Sequence, residues 1–131
     1  MMTAPPSGRL LLDTHIALWW LADSDELTDA VKSAIDNETE VYLSAASVWE
    51  VVIKQQAGKL QSDRDLGAAL EQCDLQPLPI LLRHARVVGE LPLIHRDPFD
   101  RMLLAQARSD DLTLLTRDAI VASYGGGVTK V

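Results

Sequence analysis

Short apolar runs alternate with segments of helical periodicity along the whole chain, and this alternation limits the folds that the sequence can adopt. Residues 10–12, 40–44 and 112–116 have the length and composition of buried strands. Between the first two runs, apolar residues from Leu27 to Ile35 recur with the spacing of an amphipathic helix. Such alternation is typical of βαβ units, which build a parallel sheet covered by helices on both faces.

Two further segments bear on the number of strands. Residues 75–79 read as extended chain, and Pro77 and Pro79 confine that segment to a sheet edge or a strand end. Residues 128–131 follow a run of three glycines and form a possible last strand. The sequence therefore predicts an α/β fold with a central, mostly parallel sheet of four to five strands.

The length of 131 residues suits one domain, which we place at residues 9–131 after a flexible lead-in at 1–8. That lead-in lacks the apolar stretch of a secretory signal. The longest apolar run, residues 16–22, is far shorter than the roughly 20 residues of a membrane span. A single cysteine rules out an internal disulfide and a zinc site built from cysteines. We therefore expect a cytoplasmic protein without a membrane segment.

Acidic residues follow the predicted strands. Asp13 comes directly after residues 10–12, and Glu50 lies in the helix after the second strand. Asp118 follows the strand at 112–116, and Asp100 lies in the first turn of a helix that begins at Asp97. Parallel strands bring such positions to one edge of the sheet. Clustered carboxylates repel one another unless a cation neutralises them, and oxygen ligands favour Mg²⁺ or Mn²⁺.

Each acid also fits a purely structural role. Asp13, Asp97 and Asp118 stand where N-caps of helices are expected. Ser47 and Glu50 match the spacing of a capping box. Capping does not explain why acids follow so many of the strand-like runs, so we favour the cation site.

Four segments together resemble the PIN domain, and closely the VapC-like toxins of bacterial toxin–antitoxin pairs. They are Leu-Leu-Asp-Thr-His at 11–15, Ser-Ala-Ala-Ser-Val-Trp-Glu-Val at 44–51, His-Arg-Asp-Pro-Phe-Asp-Arg-Met-Leu-Leu-Ala-Gln-Ala at 95–107 and Leu-Leu-Thr-Arg-Asp at 114–118. The resemblance implies a PIN-like α/β/α sandwich. It also implies a metal-dependent endoribonuclease that hydrolyses phosphodiester bonds in structured RNA, of the transfer or ribosomal class, and leaves 5′-phosphate ends.

The resemblance assigns roles to individual residues. It implies that an acidic quartet binds Mg²⁺ or Mn²⁺, made of Asp13, Glu50, Asp100 and Asp118. Asp13 and Asp100 would bind the metal most directly, and the other two through waters or a second ion. Asp97 would join a second metal position or hold a water, and Thr116 would orient the acid two places further on.

Basic residues surround these acids. Arg96, Arg101 and Arg117 either hold RNA phosphates or pair with neighbouring carboxylates. His15 and His95 are candidates for acid–base chemistry, but we favour rim positions or backbone contacts for both. The net charge of −7 does not by itself indicate a nucleic-acid-binding protein.

The same resemblance implies a homodimer that a cognate antitoxin blocks. Two other classes remain open. A phospho-acceptor signalling domain would need paired acids after the first strand, where this chain has Asp13 and Thr14, and a lysine after a later strand. A catalytically silent PIN interaction module would be expected to lack part of the quartet, which is intact here.

Overall fold

A five-stranded, all-parallel sheet forms the centre of the fold in the computed structural model, which describes residues 8–131. The predicted lead-in lies outside the described residues, except for Gly8. The elements in chain order are β1 (Leu10–Leu12), α1 (Thr14–Leu21), α2 (Asp29–Asn37), β2 (Val41–Ser44), α3 (Ala45–Gln56), α4 (Leu66–Glu71), β3 (Gln76–Leu78), α5 (Leu82–Val88), α6 (Pro98–Asp110), β4 (Thr113–Thr116), α7 (Ala119–Ala122) and β5 (Val128–Lys130).

The central strand β1 explains the three-layered architecture. Its three leucines are fully buried, because helices cover both faces of the sheet. Leu10 and Leu12 belong to one core together with Ile16 of α1, whereas Leu11 points to a second core that contains Leu103 of α6. The sandwich implied by the resemblance is therefore confirmed.

The strand order is β3-β2-β1-β4-β5, so the chain winds outward from β1 in both directions. The direction of winding reverses between β1 and β4, which pair in parallel from Leu10 with Thr113 to Leu12 with Leu115. In open parallel sheets, the crevice beyond the strand ends at such a reversal is where ligands bind.

Both peripheral strands occur where the sequence predicts them. β3 is an edge strand, and Pro77 is tolerated there because one side of the strand needs no partner. β5 forms the opposite edge, after a turn in which Gly125, Gly126 and Gly127 all adopt positive φ angles. Three consecutive residues with left-handed backbone explain the glycine run.

Two local features differ from the predictions. The spacing of Leu66 and Leu70, one turn apart, predicts a helix over residues 63–73. The observed helix α4 is shorter, because the side chain of Asp65 accepts the Ala68 amide and starts the helix at Leu66. No capping box forms at Ser47, since α3 already begins at Ala45, capped by Ser44. Among the described residues, no helix is long and apolar enough to cross a membrane.

Candidate active site

A pocket of about 450 Å³ opens at the carboxyl edge of the sheet, beside the reversal between β1 and β4. All five acids predicted as metal ligands line it. We call it the acidic pocket, and its lining residues are Asp13, His15, Trp19, Glu50, Lys54, His95, Asp97, Asp100, Arg117 and Asp118. Residues far apart along the chain thus converge on one cavity.

Asp13 lies in this site at the point where β1 ends and α1 begins. It is 5% exposed. The Thr14 amide donates to its Oδ1 at 2.7 Å, and the Thr116 hydroxyl donates to its Oδ2 at 2.6 Å. Burial raises the pKa of the Asp13 carboxyl, and these two hydrogen bonds partly offset the increase. Both donors are neutral, so the negative charge of Asp13 remains unpaired.

Thr116 connects two acids of the site rather than one. Its hydroxyl donates to the Asp13 carboxylate and accepts the backbone amide of Asp118 at 3.0 Å. The resemblance implied an action on the acid two places on, which is Asp118. The side chain reaches that residue only through its backbone, and it contacts Asp13 directly.

Glu50 projects into the pocket from the second turn of α3 and is 3% exposed. The Thr14 hydroxyl donates to its Oε1 at 2.7 Å, and the Thr14 and Ser47 hydroxyl oxygens lie 2.9 Å apart. Its Oε2 accepts the ammonium of Lys54, one turn further along the helix. Glu50 is therefore an ion-paired pocket residue and not part of a cap.

Asp97 and Asp100 come from the start of α6. Asp97 caps the helix by accepting the amides of Phe99 and Asp100 at 2.9 and 3.0 Å. The pKa of Asp100 is raised to about 7, first by burial and then by the negative charges of Asp13 and Asp97. A hydrogen bond from His95 lowers the pKa of Asp100, but by less than burial and the two negative charges raise it.

The closest grouping within the acidic pocket consists of His95, Asp100 and Asp118, each offering a ligand atom within 4.8 Å of the others. His95 Nε2 lies 2.7 Å from Asp100 Oδ2 and 4.0 Å from Asp118 Oδ2. The other oxygen of Asp118 caps α7 by accepting the Ile120 amide at 2.7 Å. One carboxylate can thus cap a helix and face the pocket, so the two interpretations of these acids are compatible.

The donor set fits a hard divalent cation. It consists of carboxylate oxygens on a half-open surface, with the imidazoles of His15 and His95 beside them. Burial raises the pKa of Asp100 most, and the nearby negative charges of Asp13 and Asp97 raise it further, as expected where carboxylates cluster. Asp100 and Asp118 come together beside His95, and the negative charge of Asp13 acts on Asp100, so these three acids would hold such an ion.

Of the three arginines predicted to hold RNA phosphates, Arg117 lines the acidic pocket, whereas Arg96 and Arg101 line a separate groove. Arg101 donates to the carbonyls of Val88 and Pro92 and so fixes the segment before α6. Arg117 donates to the Val131 carbonyl and lies over the Trp19 ring, 5.0 Å from its centre. Arg96 is exposed.

Sequence reasoning missed Lys54 as a pocket residue. Its spacing of four residues from Glu50 on a predicted helix was the available signal, since such pairs meet on one helix face. His95 was recognised, but its contact with Asp100 depends on how the segment before α6 folds.

Without a bound cation, we expect the protein to lose stability between about pH 4 and pH 7 because the pKa of Asp100 is raised. In that range the unfolded carboxyl ionises while the folded one keeps its proton, so folding is favoured at the acidic end. We expect the free energy of unfolding to fall by about 1–2 kcal/mol over this range. The effect is limited to this size because water in the half-open pocket screens the repulsion. Urea unfolding in EDTA at pH 5 and pH 7.5 measures this difference in the free energy of unfolding.

The matched control is Asp100→Asn, which cannot ionise and should show a smaller pH dependence. Saturating Mg²⁺ should restore stability at pH 7.5 in the wild type. Equal wild-type stability at both pH values in EDTA would contradict the prediction.

Comparison with known proteins agrees with this architecture. The sequence profile of the PIN domain matches residues 10–126. Ribonuclease VapC22 of Mycobacterium tuberculosis is 28% identical over an alignment of 126 residues, which covers 88% of this chain and 91% of the relative.

Two solved structures share the fold. VapBC2 from Rickettsia felis bound to a promoter DNA fragment has a TM-score of 0.68 at 14% identity, covering 95% of this chain and 98% of that one. DNA-bound VapBC from Salmonella typhimurium has a TM-score of 0.68 at 15% identity, covering 94% and 96%. With the profile match over nearly the whole chain, these findings show that the chain belongs to the PIN domain family.

Proposed function

We propose that this protein is a Mg²⁺- or Mn²⁺-dependent endoribonuclease of the VapC type, the toxin of a toxin–antitoxin pair. The observation that carries the proposal is the convergence of Asp13, Glu50, Asp100 and Asp118 on one pocket, with Asp97 beside them. The similarity to Ribonuclease VapC22 supports RNA as the substrate.

In this proposal Asp13, Asp100 and Asp118 hold the cation, which when bound lowers the pKa of a coordinated water and stabilises charge on the attacked phosphate. Thr14 and Thr116 keep the Glu50 and Asp13 carboxylates in fixed orientations through the hydrogen bonds described above. No side chain acts as a covalent nucleophile. The products carry 5′-phosphate and 3′-hydroxyl ends.

The pocket is half-open to solvent, so a phosphodiester of a structured RNA, such as a transfer or ribosomal RNA loop, can approach it. Arg96 lies outside the acidic pocket but is exposed, so it could hold an RNA phosphate next to the one that is cut. Arg101 and Arg117 already donate to backbone carbonyls, and we propose that they contribute to RNA binding through their remaining positive charge.

We further propose that the protein acts in the cytoplasm as a homodimer and is neutralised by a cognate antitoxin. Several structural neighbours are VapBC complexes, which supports the antitoxin. Apolar side chains on the surface supply area for protein contacts, among them Trp49, Leu82, Leu93 and Ile94.

The test is cleavage of total cellular RNA by the purified full chain in Mn²⁺, in Mg²⁺ and in EDTA, with mapping of the 5′-phosphate ends. We expect discrete cuts with either metal and none in EDTA. Labelling with acetyl phosphate in parallel tests the phospho-acceptor alternative. Labelling without RNA cleavage, or cleavage that persists in EDTA, would exclude the proposed function.

A further inference from the structure

A lysine ammonium lies among the carboxylates of the acidic pocket. Lys54 extends from α3, lines the pocket and pairs with Glu50 Oε2, while its side chain remains about one-third exposed. The negative charges of Asp97 and Asp100 are also close enough to stabilise its ammonium form. A protein cation thus already occupies one side of a site that should attract metal ions.

The acids of the pocket differ in how their charge is compensated. Asp13 receives hydrogen bonds from neutral donors, an amide and a hydroxyl. Glu50 instead has one oxygen on the Thr14 hydroxyl and the other on the Lys54 ammonium. Its buried charge is neutralised within the protein, so little of it is left to attract a second positive ion.

Two-metal nuclease sites hold their ions about 3.5–4 Å apart and share carboxylates between them. Here a second ion bound by Glu50 would have to displace the Lys54 ammonium or lie against it. A divalent ion next to a fixed unit charge of the same sign is strongly disfavoured.

We infer that the acidic pocket holds one divalent cation, on the side of Asp13, Asp100 and Asp118, and that the Lys54 ammonium occupies the position of a second. This inference rests on the proposed metal-dependent function. It assigns Lys54 as a positioning residue, which holds the Glu50 carboxylate in place through their ion pair and limits the number of ions that the site takes.

The test is isothermal titration of Mn²⁺ into the full chain, with no RNA present. The wild type should bind one ion that Asp100→Asn abolishes. Lys54→Met removes the charge but keeps much of the side-chain length, and it should bind Mn²⁺ about tenfold more tightly or take up a second equivalent. Lys54→Arg keeps the charge and should behave like the wild type.

Two further variants complete the design. Lys59→Met removes the same charge from an exposed position outside the pocket and should leave Mn²⁺ binding unchanged. Lys54→Gln keeps a hydrogen-bond donor for Glu50 and is measured in parallel, because Lys54→Met leaves the Glu50 charge unpaired. Circular dichroism establishes that each variant is folded.

Two pocket ions in the wild type would overturn the inference without reference to any variant. Unchanged Mn²⁺ affinity and stoichiometry in folded Lys54→Met and Lys54→Gln would overturn it as well. Neither result would affect the proposed function if RNA cleavage still required metal. Absence of any Mn²⁺ binding together with cleavage in EDTA would instead refute the proposed function, and the single-ion inference would fall with it.

Discussion

Replacement of Asp13 by asparagine should reduce RNA cleavage by about 100-fold to 1,000-fold, the usual cost of losing a group that organises transition-state charge. Asp13 is the most enclosed acid among those with no charged partner. Asparagine has nearly the same shape, and its carbonyl can still accept the Thr14 amide. Its amide group can donate to the Thr116 hydroxyl. The change therefore removes the charge with little effect on packing. Initial cleavage rates measure the effect on activity, and a thermal melt measures the effect on stability.

Asp63→Asn is the matched control, because Asp63 is exposed and lies before α4, outside the acidic pocket. It loses the same charge and should cleave RNA at the wild-type rate. If Asp13→Asn retained full activity with a normal melting temperature, the carboxylate would not be a metal ligand. A lower activity with a much lower melting temperature would indicate damage to the junction of β1 and α1 instead.

The fold could be predicted from the sequence because its strongest signals are local. Three consecutive leucines in β1 are fully buried, which is what a central parallel strand requires. The prolines of the segment around β3 placed it at an edge, and Asp97 followed by Pro98 marked the start of α6. These features depend on backbone chemistry within a few residues, so one sequence was sufficient.

The convergence of the acids could be anticipated for a similar reason. In a parallel sheet the residues after each strand meet at one edge, whatever the details of packing. What could not be anticipated is which donor contacts which oxygen. The Thr14 hydroxyl reaches Glu50 because α1 and α3 pack side by side, and the residues concerned are 36 positions apart. Contacts of this kind depend on helix positions that no local pattern fixes.

The start of α4 shows why a helix boundary can be difficult to predict from sequence. The stretch before α4 contains Ser62, Asp63 and Asp65, all residue types that cap helices. The structure uses Asp65, so the helix is shorter than its apolar periodicity predicts. Competing caps leave the boundary undetermined at the sequence level. Ser44 and Ser47 present the same ambiguity, and the structure uses Ser44.

Replacement of Thr116 tests directly whether side-chain hydrogen bonds keep the carboxylates of the site in position. Thr116 is fully buried at the end of β4, where its hydroxyl donates to Asp13 and accepts the Asp118 amide. Thr116→Val keeps the shape but removes both hydrogen bonds, and the loss of partners that orient metal ligands typically costs about 10-fold to 100-fold in activity. We expect a loss of this size in cleavage rate, together with weaker Mn²⁺ binding measured by titration.

Thr113→Val is the matched control, since it makes the same change on the same strand at the end remote from the acidic pocket. It should leave the cleavage rate and Mn²⁺ affinity unchanged. Thr116→Ser keeps the hydroxyl and should recover most of the activity, which a purely packing role of the methyl group would not allow. Wild-type cleavage by Thr116→Val would mean that the end of β1 and the Thr14 amide alone hold Asp13 in place. The rigid backbone of the sheet, rather than the side chain of a neighbouring strand, would then be what orients the site.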